Sequence, residues 1–196
     1  SDLSVLLSLN AGVPVNSDEN STRAGMPDLD PSVEIGPELD WRWRRSGAQR
    51  LGFKLPVRAV LATDLTYADA IGWVAHPQIA WAYVPRTRGD WDIDAVAGPL
   101  FAGDRYHDYY YSVATDYAAP GRPAYDARAG YSGFRSSIGG SRRFGRYWAG
   151  GYVRYEYLRG AAFDDSPLYK RDHALMLGLG FAYLFKTSER PVPQEP

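Results

Sequence analysis

The sequence predicts an all-β protein, an antiparallel transmembrane β-barrel with about eight strands in this chain. Three observations carry this. Residues 33–44 alternate without a fault: Val33, Ile35, Pro37, Leu39, Trp41 and Trp43 hold one parity, and Glu34, Gly36, Glu38, Asp40, Arg42 and Arg44 the other. The same two-faced pattern returns at hairpin spacing, and its last copy places Leu175, Leu177, Leu179, Phe181, Tyr183 and Phe185 on one side. Such bulky apolar columns ending in Trp and Tyr suit strands that face lipid on one side and a polar lumen on the other. Finally, the connections alternate between short and long, as periplasmic turns and external loops do in outer-membrane barrels.

In chain order the strands are expected near 2–14, 33–45, 51–63, 72–84, 90–103, 124–143, 146–158 and 173–185. The tight connections are Ser46–Arg50, Arg86–Gly89 and Gly145; the longer ones are Asn16–Ser32, Asp64–Ile71, Asp104–Pro123 and Arg159–Asp172. With this alternation the last strand descends to the periplasm. Strand 124–143 needs a parity shift, because Tyr125, Ala127, Ala129 and Tyr131 share one parity while Phe134 and Ile138 take the other. A bulge near Ser132–Gly133 reconciles them, and glycine tolerates the backbone it requires. The barrel domain is thus expected over 1–185, and the proline- and charge-rich KTSERPVPQEP of 186–196 reads as a disordered tail.

Composition excludes other classes. The net charge of -1 argues against a nucleic-acid binder. The absence of cysteine excludes disulfide frameworks and thiolate metal sites. The mean hydropathy of -0.38 and the polar interruptions His76, Pro77 and Gln78 in the longest uncharged stretch leave no spanning helix. The 15 Tyr and 6 Trp suit interfacial girdles instead. The start, SDLSVLLSLN, lacks the basic region and long apolar run of a signal peptide, so a targeting segment is expected to have been removed or to lie upstream.

Catalytic and ligand-binding readings are weak. Ser166, Asp172 and His173 have the composition of a hydrolase triad, yet a triad is defined by geometry, and a polar loop entering a strand accounts for all three. Asp104, His107 and Asp108 resemble hard metal ligands, but the chain has just 3 His and no second cluster. Gly139–Gly140 and Gly150–Gly151 lack phosphate-cradle spacing and precede no helix. No catalytic residue, cofactor or metal is therefore expected.

Two charged groups stand out. On the inward parity, Glu34, Glu38, Asp40, Arg42, Arg44, Lys54, Arg58, Asp92, Asp94, Arg154 and Glu156 interleave both signs, which favours a lumen closed by ion pairs over an open single-sign pore. The short turns and their strand ends carry Arg44, Arg45, Arg50, Arg86, Arg88, Arg142, Arg143 and Arg146 against the single acid Asp90. The long loops lean acidic, through Asp18, Glu19, Asp28, Asp30, Asp164 and Asp165. A basic periplasmic rim can dock an acidic protein or murein carboxylates, or anchor to phospholipid headgroups.

The runs YHDYYYSV at 106–113, RPAYDARAGYSG at 122–133, YVRYEYLRGAAFDDSPL at 152–168 and the closing GLGFAYLF resemble the MipA/OmpV family of MltA-interacting proteins. The Ser166-Pro167-Leu168 loop between an aromatic strand and the last strand is the most telling piece; the likeness is good over 104–185 and diffuse before it. The resemblance implies residence in the outer membrane of a Gram-negative bacterium. It also implies further strands ahead of this chain, in a barrel of about ten to twelve. Its functional implication is a non-enzymatic scaffold connecting a periplasmic lytic transglycosylase with a murein synthase. The alternatives are a small-solute channel, a surface adhesin acting through loops 104–123 and 159–172, and a lipid-modifying enzyme using His173.

Overall fold

The computed structural model describes residues 2–17, 20–64, 66–85 and 89–185, with the backbone alone at 44 and 45. It contains nine antiparallel strands: β1 (Asp2–Gly12), β2 (Ser32–Ser46), β3 (Gln49–Thr63), β4 (Ala68–Ala75), β5 (Gln78–Tyr83), β6 (Asp92–Ala102), β7 (Gly130–Phe144), β8 (Tyr147–Tyr157) and β9 (His173–Tyr183). One helix, α1 (Asp104–Tyr111), follows β6, and a 3₁₀ turn at Thr115–Tyr117 follows the helix. Each strand pairs with its neighbour in sequence, except that β4 and β5 share one place between β3 and β6. β1 and β9 stand at the two ends of this order, and no ladder joins them among the described residues. No helix there is long and apolar enough to cross a membrane.

The alternation read from the sequence sets the two faces. Val33, Ile35 and Trp41 of β2 are exposed on the outer face, while Ser32, Glu34 and Asp40 are buried on the inner one. In β3 the inner positions Pro56, Arg58, Val60 and Ala62 are buried. The outer columns of β1 and β9 are the most open, with Leu179 at 95% exposure. Exposed aromatics gather at the short-turn end, where Trp43, Trp91, Phe144, Tyr147 and Tyr183 lie, and again nearer the loop end, at Tyr67, Trp73, Phe101 and Tyr155.

Three departures from the expected elements have physical causes. The strand expected at 72–84 is broken into β4 and β5 at His76-Pro77, because proline has no N–H for the ladder. The break is held by the His76 N–H on the Pro56 carbonyl at 3.1 Å and by His76 Nε2, which donates to the Gly98 carbonyl at 3.2 Å. Strand β7 begins at Gly130, not 124, so 124–129 belongs to the preceding connection. The bulge expected near Ser132–Gly133 is present: Leu100 pairs with Gly133 and Phe101 with Tyr131, leaving Ser132 as the extra residue, and Gly133 has φ +124°. Lastly, residues 104–111, expected as open loop, form α1.

That helix is the core of the molecule. Tyr106, Tyr109 and Tyr110 fall at i, i+3 and i+4 and pack on a buried cluster of Val60, Ala62, Ile71, Val74, Leu100 and Ala102 on the inner face of the sheet. Long connections from both ends of the sheet meet it. Arg23, between β1 and β2, donates from Nη1 to the Tyr110 carbonyl at 3.3 Å, and Ser166, between β8 and β9, donates to the Tyr111 carbonyl at 2.6 Å. The connections beside both end strands of the sheet therefore meet on α1.

Candidate functional site

The inner face carries a row of ion pairs across β1, β2 and β3. Arg58 Nε donates to Glu34 Oε2 at 2.8 Å, and its Nη1 donates to Ser8 Oγ at 3.1 Å. Toward the short turns, Lys54 lies 3.5 Å from Glu38 and Arg42 Nε lies 3.6 Å from Asp40. On the opposite wall Arg135 Nε donates to Glu156 at 2.7 Å. Sequence reading missed Arg135, although the Ser132 bulge returns it to the inward parity. Arg154 makes no ion pair among the described residues; its Nε is buried without a partner and its guanidinium lies 5.5 Å from the Tyr152 ring centre. Asp92 and Asp94 reach the inner face of β6 at its open, exposed end.

Above these charges α1 is clamped in place. Tyr111 stacks on Phe163 with ring centres 3.6 Å apart and planes 6° from parallel, and Phe163 is 1% exposed. Arg23 also donates to Ser17 Oγ and the Pro27 carbonyl, and Arg122 Nη1 donates to the Thr22 and Ala24 carbonyls at 3.2 and 2.9 Å. The Tyr109 hydroxyl accepts the Asp30 N–H at 2.9 Å. Asp30 takes the Tyr67 hydroxyl at 2.6 Å.

His107 lies fully buried under this layer. Its Nδ1 faces the Arg128 carbonyl at 2.5 Å, and a carbonyl can only accept, so Nδ1 carries the proton. Nε2 then accepts from Ser132 Oγ at 2.6 Å. Burial holds the imidazole below its ordinary pKa, in keeping with this neutral tautomer. The pair has the elements of an activated serine, but both residues are closed to solvent, so the contact fastens the helix to the β7 bulge.

The other chemistry considered from sequence does not assemble. Ser166 is buried on the Tyr111 carbonyl, Asp172 accepts the Tyr169 hydroxyl at 2.9 Å, and the His173 ring meets the Tyr155 hydroxyl at 2.5 Å. No hydrogen bond connects the three. Among the described residues no group of three or more His, Asp or Glu side chains gathers around a metal-sized space, so Asp104, His107 and Asp108 remain separate.

The short-turn end gathers the arginines that the structure describes. Arg50 is exposed beside the β2–β3 turn, and Arg143 donates to the Gly145 carbonyl at 2.9 Å. Arg142 donates to the Gly89 carbonyl at 2.5 Å and sits 4.7 Å from the Phe144 ring centre, joining two neighbouring turns. Arg146 is exposed, and its carbonyl accepts the Leu184 N–H at 2.8 Å. Arg45 pairs through its backbone with Arg50 and Arg44 with Leu51; their side chains, the whole of Arg86 and Arg88, and the tail at 186–196 lie outside the described residues.

A family model described as MltA-interacting protein MipA matches residues 1–185. The chain belongs to the MipA family. The match spans every described strand, so the likeness that is diffuse to the eye before residue 104 extends through β1 to β6 as well. Comparison with curated proteins and with solved structures gives no match.

Proposed function

We propose that this MipA-family chain is a β-barrel protein of the Gram-negative outer membrane that acts as a scaffold, presenting its short-turn rim to murein-processing enzymes of the periplasm. The observation that carries the proposal is the family match over 1–185, whose description names interaction with MltA. MltA is a murein transglycosylase, and a murein synthase is the second partner in this reading. The sheet supports a membrane setting, since its outer face is apolar and bears exposed aromatics toward both ends while its charges pair on the inner face. Arg50, Arg142, Arg143 and Arg146 at one end supply a basic rim that complements acidic protein surfaces.

The test is capture of MltA by the detergent-purified chain. Arg142→Glu with Arg143→Glu is expected to reduce capture, most at low salt and less as salt rises and screens the contacts, while heat-modifiable migration on gels stays unchanged. Exposed pairs contribute about 0–1 kcal/mol each, so the doubled change is needed. Undiminished capture at low and high salt would remove the rim from the scaffold.

A further inference from the structure

We infer that the inner wall formed by β6 to β9, on the short-turn side of α1, binds a short acidic saccharide. A cavity of about 600 Å³ opens there. Its floor is made of inward glycines: a Cβ at Gly150 would meet the Trp148 ring at 2.8 Å, one at Gly180 the same ring at 3.2 Å, and one at Gly178 would overlap the Tyr152 ring. Without those side chains, both rings lie down on the sheet. Trp148 stays 37% exposed, and as a cavity-lining residue it offers indole surface to the space above.

The polar groups around that surface are complementary to a carboxylated sugar. Arg154 lines the cavity with a guanidinium whose natural neighbour, Glu156, is already taken by Arg135 at 2.7 Å. Its buried Nε has no hydrogen-bond partner, and no carboxylate forms an ion pair with it among the described residues. Asp94 also lines the cavity, on the adjoining strand face, with Ser137 and Ser141 beside it. A pyranose ring can lay its C–H face on the indole, give hydroxyl protons to Asp94, and place a carboxylate on Arg154 by charge-assisted hydrogen bonds. A phosphate ester suits the site less, because Asp94 faces it with like charge and Arg154 is the one lining cation. A purely apolar ligand would strand both charges. The volume is that of an ordinary small-ligand site.

The experiment is calorimetric titration of the full chain in a zwitterionic detergent without a sugar headgroup, using digalacturonic acid, neutral cellobiose and acetate as probes. Digalacturonic acid is expected to bind at least tenfold more tightly than cellobiose, and acetate not measurably. Arg154→Met should erase the preference for the acid, leaving the two disaccharides equal. Trp148→Leu should weaken both at least tenfold; if it does not fold, Trp148→Phe, which keeps a smaller ring face, should give an intermediate loss. Asp94→Asn, at an exposed position, should weaken both without affecting folding. The inference is overturned if digalacturonic acid gives no heat, if acetate competes as well as the disaccharide, or if the Trp148 variants bind like the parent chain.

Discussion

Arg58 and Glu34 meet at 2.8 Å across β2 and β3, each 7% exposed, and Arg58 reaches past its partner to Ser8 on β1. The pair fastens three strands at one level of the inner face. Removing one partner of a buried pair costs about 3–5 kcal/mol, largely because the other charge is left without compensation. Arg58→Met should therefore lower the free energy of unfolding by about that amount. The double variant Arg58→Met with Glu34→Leu should lose less than Arg58→Met alone. Urea unfolding in lipid vesicles measures both, and losses that simply add would contradict the coupling.

Neighbouring residues of β9 give a test of facing. Leu177 points outward and Met176, paired with Arg154, points inward. An arginine on the lipid side near the bilayer midplane costs about 2–4 kcal/mol, so Leu177→Arg should impair refolding into liposomes far more than Met176→Arg. Equal impairment would assign the wrong face to lipid. Gly36 and Gly178 make poor inward controls, because a Cβ at either would collide with the Val57 carbonyl or the Tyr152 ring.

Acidification should loosen the helix before the sheet. His107 is held neutral by burial, with its pKa depressed in the folded state. Its contribution is present above the unfolded value of about 6.5, and is lost as pH falls below it because the unfolded chain then takes up the proton first. Protonation would also turn Nε2 into a donor and remove its acceptance from Ser132. Hydrogen exchange should show α1 losing protection below about pH 6.5 in the parent chain. In His107→Gln that extra pH dependence should disappear.

The Tyr111–Phe163 stack predicts a local effect. Phe→Ala in a packed core costs about 3–5 kcal/mol, here spent on the contact between α1 and the β8–β9 connection. Phe163→Ala should raise exchange at the α1 amides and expose the chain near 112–129 to limited proteolysis. The β2–β3 amides should keep their protection; uniform loss along the chain would make Phe163 a determinant of the whole sheet.

What the sequence made legible was the sheet. Strict alternation in 33–44 and 173–185 fixes which residues face out, since a period of two leaves no other arrangement once one face is apolar. The four long connections were readable from the gaps between such runs, and the Ser132 bulge from the parity conflict between Tyr131 and Phe134. Helix α1 was not readable, because eight residues give barely two turns of periodicity and its stability comes from Val60, Val74 and Leu100, distant in sequence. Arg135 was lost for a related reason: its inward facing depends on a bulge whose position had to be settled first. The inner-wall cavity was hidden because glycines at 150, 178 and 180 look like weak strand formers until the rings lying on them are seen.

The clamping of α1 from both ends of the chain also dictates an order of assembly. The Arg122–Thr22, Arg23–Tyr110 and Ser166–Tyr111 hydrogen bonds span 100, 87 and 55 residues. Loop closure over such separations is slow, and the last of these contacts needs the connection that leads into β9. Hairpins such as β2–β3 and β7–β8 can zip early, but the helix gains its last tether only once the β8–β9 connection is in place. The tyrosine helix therefore depends on residues from nearly the whole length of the chain: a chain that ends before the β8–β9 connection lacks the Ser166 and Phe163 contacts that hold it.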